Sequence, residues 1–445
     1  MTYQEALGYL ESLEIFGIKL GLSRIRRLLE LLDLPQERYR SIHVTGTNGK
    51  GSASAMLARI LRQSGLHVGL YTSPHLTSYT ERIRLDGQNI PEQEFADCVE
   101  TIKTYAERMV QEGDECPTQF EVLTALAFFY FAMKRVDYAV IEVGLGGLLD
   151  STNVIVPEVS VITNVSLEHA DRCGGTLAGV AEHKAGIIKE GVPVVTAATG
   201  EPLDIIRAQA EAKNADIFVL GEDFTVEPGG FDAERGTQSL SFSSELLGIA
   251  NLDFDLHLLG YHQRQNAACA IMATALLHNG EPRIDRQTAA EGLRLVDWPA
   301  RFEVLRLKLG SVEQHIVVDG AHNPAGARAL RSSLAEYFPV QERVFLLGIL
   351  HDKAIGEIID ILLRPNDTVV VTRPASRRAE PPGDLAQRIL GRVQHVEAVA
   401  DPYEAADRAL ELAAGKRLLV ASGSLYLVGD VREYLIQKGR CAVDA

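Results

Sequence analysis

Cysteine, tryptophan and positive charge are all scarce in this chain. Its 445 residues hold five cysteines and one tryptophan. Cys98, Cys116, Cys173, Cys269 and Cys441 lie far apart, with no CxxC pair. That spacing excludes a disulfide-stapled scaffold, gives no zinc site and suits a reducing compartment. Basic residues are outnumbered, 44 Lys and Arg against 60 Asp and Glu, for a formal charge of −16. So acidic a surface argues against nucleic acid or an anionic membrane as a bulk partner, because Lys and Arg drive such binding by releasing counterions. An anionic small molecule in a local basic pocket is still compatible with it. A membrane-length apolar run is missing too: the most apolar stretch, Val122 to Met133, stops at Lys134-Arg135. Met1 to Leu7 lacks a basic stretch followed by an apolar core, so no signal peptide is expected and the chain reads as cytoplasmic.

What is present is the composition of a folded protein, 46% hydrophobic and 23% charged. The length exceeds what one hydrophobic core supports, so more than one domain is expected. Apolar runs of strand length alternate with helix-periodic segments, the pattern of a parallel sheet with crossover helices. Early strands read as Ile42–Thr45, Val68–Thr72, Tyr138–Val143 and Val159–Thr163. Helices read as Ser52–Gln63, Glu92–Val110, Glu121–Lys134 and Leu177–Ile188. Short alternating segments between Asp223 and Gly260 suggest an antiparallel excursion, followed by a helix from Gln263 to His278. Trp298-Pro299 breaks the helical period, and a second series begins, with strands at Ile316–Val318, Val344–Leu347, Thr368–Val371 and Leu418–Ala421. The expected fold class is α/β. A P-loop mononucleotide-binding domain with a mostly parallel sheet covers 1–296, and a smaller Rossmann-like domain covers 297–445. Arg373–Gly383 reads as a mobile basic loop.

The strongest chemical signal is Thr45-Gly-Thr-Asn-Gly-Lys-Gly-Ser52, between a strand and a helix. Amides of a Gly-rich turn and the positive end of a helix suit phosphate oxygens. Lys50 supplies a point charge for the β- and γ-phosphates, and Ser52 a hydroxyl near Mg²⁺. The string departs from GxxxxGK[ST], since Val44 holds the first Gly position and Gly51 separates Lys50 from the hydroxyl. Glu142 ends the apolar strand Tyr138-Ala-Val-Ile, where an unpaired carboxylate is costly, so it reads as a ligand. His169, just past another strand end, could join it, although Mg²⁺ normally takes oxygen ligands. Lys184 sits in a helix between apolar faces and by itself reads as a surface lysine.

Together these residues resemble the folylpolyglutamate synthase/dihydrofolate synthase family, the folate branch of the Mur-type ATP-dependent amide ligases. The similarity runs end to end. It includes Phe16–Gly21, Gly46–Ser52, Tyr71–Leu76, Glu81–Ile83, Phe120-Glu121, Gly144–Asn153 and Lys184–Lys189. Gly260–Ala267, Trp298–Arg301, Asp319–Pro324 and Ser422–Tyr426 complete the series. The resemblance implies that Thr47, Asn48, Gly49, Lys50, Gly51 and Ser52 hold the triphosphate, with Asn266, Arg301 and Asp319 on the nucleotide. It implies that Ser73, Glu142, His169 and a carbamate on Lys184 coordinate Mg²⁺. His322 is expected beside the reacting phosphate. Pro74 and His75 would border the pterin pocket, Arg82 would hold a carboxylate, and Ser424 would contact substrate. The implied catalytic residues are Lys50, Lys184 and His322. ATP, L-glutamate and dihydropteroate or a reduced folate are the implied substrates, and a monomer is the family expectation.

The implied reaction is ATP-driven amide formation through an acyl phosphate, with folylpolyglutamate synthase and dihydrofolate synthase activities combined. The chain departs from its relatives at Leu148, where many carry Arg, at Glu168, where Asp is usual, and at Cys173, in place of a common Leu. Ala354 replaces the final acid of an Asp-Lys-Asp string. None of these removes a group that phosphoryl chemistry requires. Two other readings compete. A peptidoglycan-type ligase would carry a further N-terminal domain, for which the residues before Lys50 are too few. A nucleotide-gated regulatory protein would have little need for Lys50, Glu142, His169, Lys184 and Asp319 together.

Overall fold

The computed structural model describes residues 1–17, 19–168, 172–309, 312–339, 342–413 and 417–441. Two compact units emerge. The first comprises Met1–Gly229, Ser239–Leu256 and Arg264–Val296, and the second Gly230–Gln238, His257–Gln263 and Asp297–Ala445. A single cut near Val296 therefore misses two short excursions that belong with the second unit.

The first unit is built on eight strands: β1 (Arg40–Thr45), β2 (Val68–Tyr71), β3 (Ile83–Leu85), β4 (Gln88–Asn89), β5 (Tyr138–Glu142), β6 (Val159–Ile162), β7 (Val194–Thr196) and β8 (Ile217–Val219). Their order is β4-β3-β2-β5-β1-β6-β7-β8. Pairing is parallel from β2 through β8, and β3 and β4 add an antiparallel edge. The helices are α1 (Tyr3–Ser12), α2 (Ser23–Leu31), α3 (Lys50–Gln63), α4 (Glu92–Gln111), α5 (Gln119–Lys134), α6 (Leu177–Ala185) and α7 (Glu201–Ala212). The antiparallel excursion expected after Asp223 is a separate sheet of β9 (Thr225–Asp232), β10 (Thr237–Ser244) and β11 (Ile249–Leu256), in the order β11-β10-β9. It is followed by α8 (Tyr261–Leu277) and α9 (Arg286–Arg294).

The apolar run from Val122 is α5. A helix hydrophobic on all sides has to be buried, and Val122, Leu126, Phe128 and Phe131 are each fully enclosed. They share a core with α1, α2 and α4 residues such as Leu10, Ile25, Phe95 and Ile102. No helix among the described residues is long and apolar enough to cross a membrane.

The second unit carries β12 (Glu303–Leu309), β13 (Val312–Val318), β14 (Arg343–Leu347), β15 (Thr368–Val371), β16 (His395–Ala398) and β17 (Leu418–Ser422). The order is β12-β13-β17-β14-β15-β16, parallel except for β12 on β13. Helices α10 (Pro324–Tyr337), α11 (Ile355–Leu362), α12 (Pro382–Ile389), α13 (Pro402–Ala413) and α14 (Leu425–Cys441) connect them. The basic loop after β15 is tied down rather than free. His351 N donates to Arg378 O at 2.8 Å, Glu380 N to Ile349 O at 2.9 Å, and Glu380 is buried.

Candidate active site

In an open parallel sheet, ligands collect beyond the carboxyl ends of the strands, and the expected site residues of the first unit gather there. The loop after β1 turns at Gly46, whose Cβ position would lie 1.9 Å from Thr163 Oγ1. Only glycine fits so close an approach. Segments after β6 brace the loop: Thr47 N donates to Asn164 O at 2.9 Å, and Asn48 N to Asn164 Oδ1 at 3.0 Å. Thr163 Oγ1 donates to Asn48 O at 2.7 Å. Helix α3 then starts at Lys50, two residues earlier than its apolar period suggests, because Gly49 supplies the left-handed turn with φ 85°. Gly49 is also where Asn266 sits close, its Oδ1 2.5 Å from a would-be Cβ. Ser52 is buried in the first turn. Lys50 Nζ folds back onto its own loop, donating to Gly46 O at 2.9 Å and Thr47 O at 3.2 Å.

Register brings the acid next to this loop. Glu142 ends β5 opposite Val44 of β1, and it is buried. Its Oε2 accepts from the backbone N–H of Ser73 at 3.0 Å, so these two predicted metal ligands meet. His169 lies outside the described residues. Among the described residues no group of three or more His, Cys, Asp or Glu side chains could hold a metal ion. Lys184, on α6, is only 5% exposed. Burial, reinforced by the charge of Lys50, pushes its pKa down to about 7. A surface lysine is thereby excluded. Lys184 lines a small cavity with Thr47, Lys50, Glu168 and Cys173.

A larger cavity of about 410 Å³ lies beside it, lined by Phe120, Leu145, Leu149, Ser73, Pro74, Arg82, Lys19 and Asp150, among others. The loop that continues from Pro74 is held in shape by Glu81, whose carboxylate accepts the amides of Leu76, Thr77 and Ser78 at 2.8 to 2.9 Å. Arg82 Nε donates to His75 Nδ1 at 2.8 Å. Burial, then the Arg82 charge, pushes the His75 pKa down to about 4, so the ring is neutral and His75 can accept. Asp150 is buried, and burial raises its pKa against the pull of its hydrogen bonds. Sequence reasoning passed over Asp150. Its signal is an Asp-Ser-Thr cap directly after a Gly-rich run, with Asp150 Oδ1 accepting from Thr152 N at 3.0 Å.

Arg301, Asp319, His322 and Ser424 belong to the second unit, where Asp319 to His322 follow β13 and Ser424 follows β17. Both oxygens of Asp319 hold backbone amides, Oδ2 that of Phe302 and Oδ1 that of Ala321, each at 2.8 Å. Asp319 thus clamps the turn that carries Arg301, in which Ala300 and Phe302 take left-handed φ values of 59° and 47°. A Cβ at Gly320 would come within 2.6 Å of Arg301 Nη1. His322 Nδ1 donates to Gly320 O at 2.8 Å, since a carbonyl oxygen only accepts. Ser424 is buried, and its Oγ accepts from Leu427 N at 3.2 Å at the start of α14. His262 was also passed over. It feels the charges of both Asp319 and Arg301.

Two family models match the chain. The Mur ligase middle domain matches residues 44–274, and the Mur ligase glutamate ligase domain matches 300–425. The folylpolyglutamate synthase of Lacticaseibacillus casei is 37% identical over 440 residues, covering 98% of this chain and 99% of that protein. This chain belongs to the folylpolyglutamate synthase/dihydrofolate synthase family. As a member it is an ATP-dependent ligase of the Mur type. A probable bifunctional folylpolyglutamate synthase/dihydropteroate synthase of Haloferax volcanii is 36% identical over 97% of this chain, which spans 50% of that protein. Among solved structures, Escherichia coli FolC in complex with DHPP and ADP superposes with a TM-score of 0.86 at 27% identity. That match covers 98% of each chain. These relatives belong to the folate branch of the Mur ligases and match essentially the whole of this chain.

Proposed function

We propose that this chain joins the amino group of L-glutamate to the carboxylate of dihydropteroate or a reduced folate, with one site serving both dihydrofolate synthesis and extension of the glutamate tail. The observation that carries this reading is the Ser73 amide on Glu142. It ties a wall of the large cavity to the strand beside the phosphate loop. Arg82, held by His75, offers a cation to the substrate carboxylate. Phe120 offers an aromatic face to the pteridine, and Asp150 accepts from its paired N–H edge, a match of carboxylate to amidine-like donors.

A substrate carboxylate oxygen attacks the γ-phosphorus and the bond to ADP breaks, giving an acyl phosphate. The neutral amine of glutamate then attacks the carbonyl carbon, the C–O bond breaks, and phosphate departs carrying the proton lost from the nitrogen. The first step needs in-line positioning and charge neutralisation. Thr47 to Ser52 and Asn266 hold the nucleotide, and Lys50 exchanges its two loop carbonyls for phosphate oxygens. Arg301 and His322 are assigned to the nucleotide and the transferring phosphate, and Asp319 holds the Arg301 turn in shape. Ser424 is assigned to substrate.

Ser73 and Glu142 supply the oxygen donors that Mg²⁺ prefers, and Mg²⁺ commonly binds through one or two carboxylates plus substrate phosphates. The donors fit that ion. We assign them to it, with His169 and a carbamate on Lys184, whose amine is half neutral near pH 7 and so open to CO₂. Bound there, Mg²⁺ would offset phosphate charge.

Dihydropteroate and tetrahydrofolate, each offered with glutamate and MgATP, test the reading when products are identified by mass. Glutamylated product from both is expected. Product from one alone overturns the dual activity, and ATP binding without product overturns the ligase reading.

A further inference from the structure

We propose that His43 and Thr152 are positioning residues for pterin recognition, forming a hydrogen-bonded chain that fixes the Asp150 carboxylate from outside the cavity. The proposal rests on the assignment of Asp150 to the pteridine edge. Both residues are fully buried. His43 lies inside β1, its Nε2 2.9 Å from Thr152 Oγ1. Thr152 Oγ1 lies in turn 2.5 Å from Asp150 Oδ1.

Proton counting orders the chain. An ionised carboxylate only accepts, so the single hydroxyl proton of Thr152 goes to Asp150. The hydroxyl must then accept from His43, which places the imidazole proton on Nε2. Nδ1 is left bare, and it is buried without a partner. A ring in this state is uncharged, in keeping with burial driving the His43 pKa down to about 3. Leu145 N completes the set, donating to Asp150 Oδ2 at 2.8 Å. An amide on each oxygen, together with the hydroxyl on Oδ1, therefore sets the plane of the carboxylate. Reading a paired N–H edge depends on that plane.

The cost identifies the purpose. Ile42 and Val44, the neighbours of His43 on the strand, are fully buried apolar residues. An aliphatic side chain at 43 would avoid stranding a polar nitrogen, which is unfavourable wherever it is buried. Donating to Thr152 is what histidine adds there.

The test uses the whole enzyme with dihydropteroate, glutamate and MgATP. Thr152→Val removes the proton at nearly constant volume, and His43→Leu removes the donor to Thr152. Each should raise the KM for dihydropteroate about tenfold, the scale of a lost hydrogen bond to a charged group. The KM for ATP and kcat should stay within about twofold by the same reasoning, because the phosphate groups are untouched. Thr152→Ser and His43→Gln retain a donor and should restore the dihydropteroate KM. Equal changes in both KM values, or loss of activity that follows thermal stability without rescue by Ser or Gln, would overturn the proposal. Asp150→Asn separates the levels. An unchanged dihydropteroate KM in that variant overturns the cavity assignment itself. A raised one, with Thr152→Val and His43→Leu silent, overturns only the relay.

Discussion

Gly49 carries two constraints. Its φ of 85° is a left-handed turn, and a Cβ there would fall 2.5 Å from Asn266 Oδ1. Gly49→Ala therefore strains the backbone and displaces Asn266 at once. Each such strain costs about 1–3 kcal/mol, so ADP affinity, measured by calorimetry, should fall about ten- to hundredfold. Dihydropteroate binding should be unchanged. Two histidines make a separate prediction about pH. His43 and His75 have folded pKa values of about 3 and about 4, both driven first by burial. In the unfolded chain each titrates near the ordinary histidine value of 6.5. Between those limits the unfolded state binds more protons, so their stabilisation is complete above pH 6.5 and is lost as pH falls toward 4 and then 3. Near pH 5 each contributes a slope of about 1.4 kcal/mol per pH unit. Urea unfolding at pH 6 and pH 5 should show a smaller pH dependence for His75→Gln than for the parent. An equal dependence would remove His75 from the account.

At the scale of elements, packing tolerances become the measurable quantity. Gly69 lies in β2 where its Cβ position would be 2.6 Å from the Phe131 ring of α5. Phe131 is fully buried, so the ring has nowhere to retreat. Gly69→Ala should destabilise the first unit by about 1–3 kcal/mol, the cost of overpacking a filled core, read as a lower urea midpoint. Elements whose apolar period was strong were legible in the sequence: β1, β2, β5, β6, β14, β15 and β17 each lie within two residues of the expected strands. β16 was not, because none of its four residues is buried and nothing in their order marks a core face. Helix α6 ends at Ala185, three residues short of expectation. The apolar Ile187 and Ile188 still pack into the core, but from the turn that follows Gly186. The site divides the same way. Lys50 and Glu142 were named from a strand–loop–helix turn and an acid at a strand end, whereas Ser73 and a role for Lys184 came only with the family resemblance. His43 and Asn164 went unnamed because their hydrogen bonds, to Thr152 and to Asn48, join segments more than 100 residues apart, which no local pattern encodes; Asp150 and Thr152 share a local cap whose place beside a cavity only the fold reveals.

For the molecule as a whole, the shortage of positive charge becomes a constraint on function. With a formal charge of −16, the protein has, on the proposed function, to bind ATP, glutamate and a folate carboxylate, all anions. Each basic side chain assigned to a substrate therefore matters more than it would in a neutral protein, since the surrounding field opposes the ligand. Arg301 is the sharpest case. It sits in the second unit, on a turn clamped by Asp319 and packed over Gly320, whereas Lys50 and the phosphate loop belong to the first. On the assignment of Arg301 to the nucleotide, Arg301→Ala should raise the KM for ATP about ten- to hundredfold, the value of a hydrogen bond to a charged group. Phosphate release at saturating dihydropteroate and glutamate gives the measurement. Arg301→Lys should recover only part of the loss, because an ammonium replaces the planar guanidinium as a point charge. Kinetics identical to the parent in Arg301→Ala would overturn that assignment.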